Sequence, residues 1–494
     1  MYYITRWRKP KDGRLGKEKD LADYDVAVVG SGFAGSAAAL SFLETTERAG
    51  RAGRVALIEA GGRGRWPGAS RWAKPFLALG RDNTLLRERP GTVEQDRPSV
   101  ADLEYWRKFE DEVPDTVEFM TGHGVRLIRC DEEDVALDFE GQHFAYPDGG
   151  GKEVVDFYMD YIMKYESADI LWDHEAIRLT LDDEGRVGGV VVREPGGGEQ
   201  TITADAVVLA CGGFQGSPET LERYSGEAET DLPIIARGLR YNRGAGIRVA
   251  MEAGAGTAGQ FDMVHAELVD PRASRHHAAI WGQNYGVVVG ENCERFHDEG
   301  KDHLFATSEA IAYETWRNQN QKSYFITDGT VMDRLGDSWI YQTTNQPPEK
   351  SGTISGLAGK LGLDPRKLET TVSEFNAACE EGEWDPARMD GKKTSGITPP
   401  KSNWAKPIEA PPYYGFPMTA HLSFTFGGLK ADKDGRVLST DGAPISGLYA
   451  AGEITGIFHH GHPPATSVLR ANTFGRLVGA NVARSLPETA APAG

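Results

Sequence analysis

Apolar residues along this chain fall into short blocks, many of them cut off by glycine. Residues 24–30, Tyr-Asp-Val-Ala-Val-Val-Gly, give the run of a buried strand ending on a turn residue. Gly30-Ser31-Gly32-Phe33-Ala34-Gly35 follows at once, and Ser36 to Leu43 continues in helix-forming composition. A second apolar run, Arg54 to Ile58, closes on Glu59. Leu171 to Val192 reads as a β-meander that turns at Asp-Asp-Glu-Gly, residues 182–185. Ala206 to Ala210 is a further buried strand and runs into Cys211-Gly212-Gly213-Phe214. Asn242-Arg243-Gly244-Ala245-Gly246 opens a helix over Ile247 to Ala253. Late in the chain, Gly447-Leu448-Tyr449-Ala450-Ala451-Gly452-Glu453 again pairs a strand with a glycine and an acid. Thr473 to Ser485 then reads as a helix.

Between 263 and 405 the texture changes. Short strands (Gly286 to Val289, Ser323 to Thr327) alternate with polar amphipathic helices (Ser308 to Gln319, Leu368 to Cys379), and Pro399-Pro400 and Pro411-Pro412 punctuate the return. These blocks predict one parallel sheet assembled from 22–262 and 406–494, with an α+β domain inserted at 263–405. Residues 91–120 read as a helical excursion within the first domain, and 1–21 as a polar arm.

The strand–GxGxxG–helix–strand–acid order at 24–59 has a specific chemical meaning. Gly30 and Gly32 permit the turn and a close backbone approach, and Gly35 lets helix and strand pack. The helix N-terminus offers free N–H groups and partial positive charge to a pyrophosphate. Glu59 can accept hydrogen bonds from ribose hydroxyls. The first domain is therefore predicted to bind a dinucleotide.

Composition narrows the remaining classes. The 494 residues carry 54 basic against 73 acidic groups, a net charge of −19, which disfavours nucleic acid as a partner. Glycine, at 60 residues, exceeds the ~7% of an average protein, and it sits in motifs rather than in one linker. Cys130, Cys211, Cys293 and Cys379 are far apart and include no CxxC, so neither an iron–sulfur cluster, a c-type haem nor a disulfide framework is implied. No run reaches 18 apolar residues, so no membrane span is expected, and a reducing cytoplasm is the default compartment.

NAD and FAD both use the first glycine motif, so the later motifs decide between them. Ala210-Cys211-Gly212-Gly213-Phe214 resembles the alanine-threonine-glycine-glycine strand end of two-dinucleotide flavoproteins, with cysteine in place of threonine. Leu448 to Glu453 resembles their second FAD fingerprint, and Gly68-Ala69-Ser70-Arg71 their flavin-contacting loop. Asn242 to Gly246 resembles a further glycine turn, and Gly149-Gly150-Gly151-Lys152 another. Val287 to Gly300 resembles a capping-domain segment, and Ser467 to Gly479 the final helix. Together these resemble the fumarate reductase and succinate dehydrogenase flavoprotein superfamily, in particular its soluble single-chain tricarballylate and 3-ketosteroid dehydrogenases.

The resemblance implies a Rossmann-like two-dinucleotide FAD-binding domain with an α+β capping domain holding substrate over the flavin. It implies FAD contacts at Gly30, Gly32, Phe33, Ala34, Gly35, Glu59, Ala69 and Ser70 on the first half of the site. On the second half it implies Ala210, Gly212, Gly213, Asn242, Gly246, Gly452, Glu453, Ser467 and Leu469. Relatives that bind flavin covalently use a histidine after the second strand. Here none occurs before His123, so FAD should be noncovalent.

The implied chemistry adds or removes two hydrogens across a C–C bond beside a carboxylate or carbonyl, as hydride and proton. His462 falls where fumarate reductases carry a carboxylate-binding arginine and the dehydrogenases a tyrosine. His303 falls near the proton-donor arginine, and His265 where histidine meets substrate, so these three are the candidate acid–base residues. His460, Arg470, Ser423 and Thr425 are candidate substrate contacts, and Phe424, Phe426, Phe458 and Tyr285 candidate apolar walls. Three histidines within His459-His460-Gly461-His462 suggest zinc, but adjacent turn residues converge poorly on one ion, so no metal is expected. Arg272, Arg275, His276 and His277 read as a solvated basic loop. The favoured substrate is a small polycarboxylate, with a 3-ketosteroid-type enzyme and a non-catalytic FAD-binding subunit as alternatives. Oxygen, a quinone or a redox protein would exchange the electrons.

Overall fold

The computed structural model describes residues 23–80, 82–85, 102–130, 138–139, 142–226, 231–276, 278–341 and 344–486. The arm at 1–21 and His277 lie outside these, as do residues 91–101 of the expected helical excursion.

The strands anticipated at both ends of the chain meet in one sheet. Its order is Arg436–Leu438, Pro444–Ala450, Glu199–Leu209, Tyr24–Val29, Val55–Glu59 and Ala168–Trp172. The four pairings from Pro444–Ala450 to Ala168–Trp172 are parallel. Burial follows from this: Val26 to Val29 and Val55 to Ile58 are covered on both faces, which is why they are uninterrupted apolar runs. Glu199–Leu209 does two jobs. Its polar first half pairs antiparallel with the meander strand Val187–Arg193, and its apolar second half enters the parallel sheet.

Helix Phe33–Arg48 lies between this sheet and the last helix, Ser467–Ser485, and small residues let the two helices approach. A Cβ on Gly475 would lie 2.4 Å from the Ala34 carbonyl oxygen, and one on Gly479 2.2 Å from that of Ala38. The last helix begins at Ser467, six residues before the apolar periodicity suggested. Helix Leu103–Gly122 is started by Asp102, whose carboxylate accepts from the Glu104 and Tyr105 amides at 2.9 and 3.0 Å. It stacks Tyr105 on Phe474 at 3.7 Å, bracing the last helix.

A second, antiparallel sheet runs Val264–Val269, Tyr413–Thr425, Ser323–Asp328, Val287–Gly290, with Glu349–Ser351 also on the long strand. Tyr413–Thr425 was expected within the parallel sheet, since the return was set at 406. Every strand paired with it lies in 264–351, apart from an isolated bridge between Leu422 and Ile234, so the chain leaves the second sheet at Thr425. Helix Leu304–Asn318 packs on this sheet. It starts four residues earlier than expected because His303 caps it, Nδ1 accepting from the Phe305 amide. Behind the sheet, Lys401 is fully buried and donates to the Asn284 and Gly286 carbonyls at 2.6 and 2.8 Å. Glu299, bonded to Arg295 and to the Val288 amide at 2.8 Å, balances that charge. Among the described residues no helix is long and apolar enough to cross a membrane.

Candidate active site

A cleft is lined by both sheets and by the last helix. One half is made of backbone and the carboxylates of Glu59 and Glu453. Gly30 holds a left-handed φ of 104°, and a Cβ there would stand 2.4 Å from the Ala210 carbonyl oxygen, so the turn requires glycine. Gly32 caps the first helix in extended conformation, and a Cβ there would stand 2.8 Å from the Ser70 hydroxyl oxygen. The Ser70 hydroxyl accepts from the Phe33 amide at 3.0 Å, marking the end of the helix where an anionic oxygen would be received.

Glu59 is buried and accepts from the Ser31 amide (2.9 Å), the Ser31 hydroxyl (2.8 Å) and the Gly61 amide (3.1 Å). Glu453 accepts from the Thr425 amide at 3.1 Å and more loosely from Gln215 and Asn242, at 3.4 Å each. Burial raises the Glu453 carboxyl above its ordinary value. Ser467 lines the cleft and its buried hydroxyl has no partner among the described residues. The buried Glu59, the half-buried Glu453, an orphaned hydroxyl and a helix N-terminus fit the ribose, ribityl and pyrophosphate groups of a flavin dinucleotide. Cys211, at the threonine position of the motif, stays a thiol because burial pushes it up to about 12.

The other half gathers imidazoles, carboxylates and rings. His265 Nδ1 lies 2.7 Å from Glu309 Oε1, and His265 Nε2 lies 3.6 Å from Glu267 Oε1. His462 meets His265 edge-on, with ring centroids 4.3 Å apart, and its Nδ1 stands 3.7 Å from Glu309 Oε2. The four side chains are each about nine-tenths buried, at 10–12% exposure. Burial alone would lower His265, but Glu309 and Glu267 raise it to about 10, so it is an imidazolium. The same pairing overcomes burial to hold Glu309 down at about 2. His462 is driven below its ordinary value, first by burial and then by the charge on His265. The two histidines thus differ in protonation while sharing one carboxylate. Phe424 lies against both, at 4.8 Å from His265 and 5.1 Å from His462. Arg470 donates to the Thr455 hydroxyl at 2.9 Å and spans the Phe458 ring at 4.9 Å, leaving a buried Nε without a partner among the described residues.

His265, Glu309 and His462 also have donor atoms within 4.8 Å of one another. A 2.7 Å Nδ1–Oε1 contact is a hydrogen bond; ligands around one ion at ~2.0–2.2 Å bonds stand farther apart. We read the group as an ion pair.

The expected site residues divide three ways. His265, His462, Arg470 and Ser423 line the cleft, as do most of the expected dinucleotide contacts. Gly35, Gly213, Thr425 and Leu469 stand behind the wall; Thr425 supports Glu453 from there. His460 and His303 are elsewhere. His460 has a φ of 58°, is exposed, and its amide donates to Gln260, because the turn directs successive side chains apart. His303 serves the helix cap, its ring beside Phe144 and Phe305. Tyr285 is also remote, its hydroxyl donating to the Pro386 carbonyl. Sequence reading missed Glu309, Glu267, Phe305 and Trp281, all on the cleft wall. For Glu309 a signal existed: Phe305, Ser308 and Glu309 fall at i, i+3 and i+4 on one helical face, and an acid on a buried face needs a partner.

The FAD binding domain family matches residues 25–468. The vinyl phenol reductase of Lactiplantibacillus plantarum is 26% identical over 509 residues, covering 93% of this chain and 96% of that protein. A cytochrome-type fumarate reductase of Shewanella frigidimarina is 25% identical, covering 98% of this chain and 83% of its own length. The 3-ketosteroid Δ4-(5α)-dehydrogenase structure from Rhodococcus jostii superposes with a TM-score of 0.68 at 23% identity, covering 94% of this chain and 98% of that one. The chain belongs to the FAD binding domain family and is a FAD-dependent oxidoreductase of the fumarate reductase and succinate dehydrogenase superfamily.

Proposed function

We propose that the enzyme exchanges two hydrogens across a C–C bond conjugated to an activating carbonyl or phenol, on a substrate with an apolar body and one polar head. The observation that carries this reading is the charge balance of the substrate half of the cleft. Glu309 and Glu267 flank a single imidazolium, Arg470 adds one cation, Lys74 stands further along the cleft with its charge disfavoured by burial, and Trp281, Phe305 and Phe424 occupy much of the remaining wall. The two carboxylates are already matched by the imidazolium and Arg470, so a small polycarboxylate would bring several negative charges with few free cations to receive them. An enone or a vinyl-substituted ring brings none. The vinyl phenol reductase relative supports the same choice, while the fumarate reductase relative keeps an acid as the competing case.

FAD, held by the Gly32–Phe33 turn, Ser70, Glu59, Glu453 and Ser467, supplies hydride exchange with a substrate carbon when bound. The protein's own task is to hold the head group and move the accompanying proton. His462, buried and neutral, offers an N–H to the head group as negative charge develops there. Arg470 backs it with the unpartnered Nε. His265, kept as imidazolium by Glu309, is the proton donor in the reducing direction.

The test uses holoenzyme reduced anaerobically with dithionite and mixed in turn with 4-vinylphenol, a cyclic enone, fumarate and tricarballylate. Return of oxidised-flavin absorbance with one of the first two is expected. Reoxidation by the polycarboxylates alone would overturn the substrate class. No reoxidation by any compound, with His462→Ala unchanged in every assay, would favour the non-catalytic alternative.

A further inference from the structure

Beside the mouth of the cleft lies a face whose chemistry the catalytic reading does not use. The half-buried indoles of Trp66 and Trp72 meet with ring centroids 5.3 Å apart. Lys152 sits over Trp66 at 5.5 Å and Arg237 over Trp72 at 4.9 Å. His276 meets Trp72 edge-on at 4.9 Å. Four separate stretches of chain converge here, and Gly238 closes them up: its carbonyl accepts from the Gly68 amide, and a Cβ on it would stand 2.2 Å from Trp72 Nε1. Exposed Arg63, Arg65 and Arg275 extend the charge along the same segments. Asp156 is drawn in as a counter-charge, shared between Lys152 and Arg71 at 2.5 and 3.4 Å.

The cations act on one another. Burial and then Arg237 hold His276 below the ordinary imidazole value, and burial and then Arg275 lower Lys74. Like charges brought this close repel one another, and on a chain of net charge −19 they form a local basic patch complementary to an anionic surface. The cations are strung along the indole pair rather than gathered about one point, which suits a surface better than a single small anion. Tryptophan and arginine are also the side chains that anchor protein interfaces. The face adjoins the cofactor half of the cleft, since Pro67 to Ser70, between the two indoles, line it.

We propose that this basic, tryptophan-centred face docks an acidic electron-carrier protein that exchanges electrons with the bound flavin. The inference rests on the FAD assignment and is independent of the substrate class. In the reducing direction the substrate gains two electrons and two protons; the carrier gives up the two electrons, one at a time if it is a one-electron carrier, and water replaces the protons.

The probe is a plant-type [2Fe–2S] ferredoxin, a strongly acidic one-electron carrier, with flavodoxin as a second. FAD-loaded protein is compared with the triple variant Lys152→Glu/Arg237→Glu/Arg275→Glu by calorimetric binding and by stopped-flow electron transfer to the flavin. The expected result is binding and transfer that weaken steeply with salt, and at least a tenfold loss of both in the triple variant at unchanged FAD content. Should the triple variant not fold, Arg237→Gln and Arg275→Gln must each give a graded loss. The proposal is overturned by equal binding in wild type and variants, or by no salt-sensitive binding of either carrier. It is also overturned if the variants only raise KM for an anionic substrate, which would make the face a funnel for small anions.

Discussion

Replacing Glu309 by glutamine removes one charge and almost no volume from the centre of the substrate half. In the native protein the Glu309 carboxylate lies 2.7 Å from His265 Nδ1, with the pair about nine-tenths buried. His265 is raised, so its contribution to stability is fully present below 6.5 and is lost as pH rises through about 10. Glu309 is lowered, so its contribution is present above 4.5 and is lost as pH falls through about 2. Breaking a buried ion pair typically costs ~3–5 kcal/mol when the surviving charge is trapped. Here the imidazolium can shed its proton, so the stability loss should be smaller, on the order of 1–3 kcal/mol. The consequence moves instead into protonation. Burial at His265 is then opposed by Glu267 alone, at 3.6 Å, and the ring is expected to fall from about 10 towards the neutral range. Loss of a positioned proton donor is worth roughly 10²–10⁴ in rate. The assay is kcat against pH for substrate reduction, with FAD content and thermal midpoint measured alongside. The native basic limb should lie near pH 10, and in Glu309→Gln it should move to or below neutrality, with activity recovering towards acid. A purely structural role would lower the midpoint and leave that limb in place. A variant within twofold of native kcat and with an unmoved limb would refute the assignment of His265 as donor.

His462→Ala should keep FAD and fold but lose roughly 10²–10³ in turnover, the ~2.7–4 kcal/mol typical of one donor to developing charge. His462→Gln, which keeps a donor but cannot titrate, should recover part of that rate and remove the acid limb, which in the native enzyme lies below 6.5. A full-rate Ala variant would make His462 structural. Gly32→Val should abolish FAD binding, because its side chain would press on Ser70 and cover the helix N-terminus; flavin content against an unchanged far-ultraviolet spectrum measures this. Acid precipitation of the native holoprotein should release all its flavin into the supernatant, and pigment in the pellet would contradict noncovalent binding.

The parts of this molecule legible in the sequence are those whose chemistry is local. The Gly30–Gly35 turn, its strands and Glu59 depend on residues within one strand–helix–strand unit, and glycine at Gly30 answers a single backbone angle. Tyr413–Thr425 is different. Its burial alternates along 13 residues, a pattern either sheet could accept, and only tertiary pairing with Val264–Val269 and Ser323–Asp328 assigns it. His303 misled because position relative to a motif says nothing of side-chain direction: the residue lies just ahead of the helix that presents Glu309, and the start of that helix needed a cap.

The same reasoning explains why one histidine of His459-His460-Gly461-His462 reaches the site. The left-handed conformation at His460 turns that side chain outwards, and the chain recrosses itself between His459 and Gly461. His462 then emerges facing strand Val264–Val269 and helix Leu304–Asn318, where His265 and Glu309 stand. What makes it neutral is burial first, and then the imidazolium contributed some two hundred residues away, itself fixed by an acid 44 residues further on. A sequence motif can nominate the histidine; its protonation, and hence whether it donates or accepts, is a property of three elements brought together by the fold.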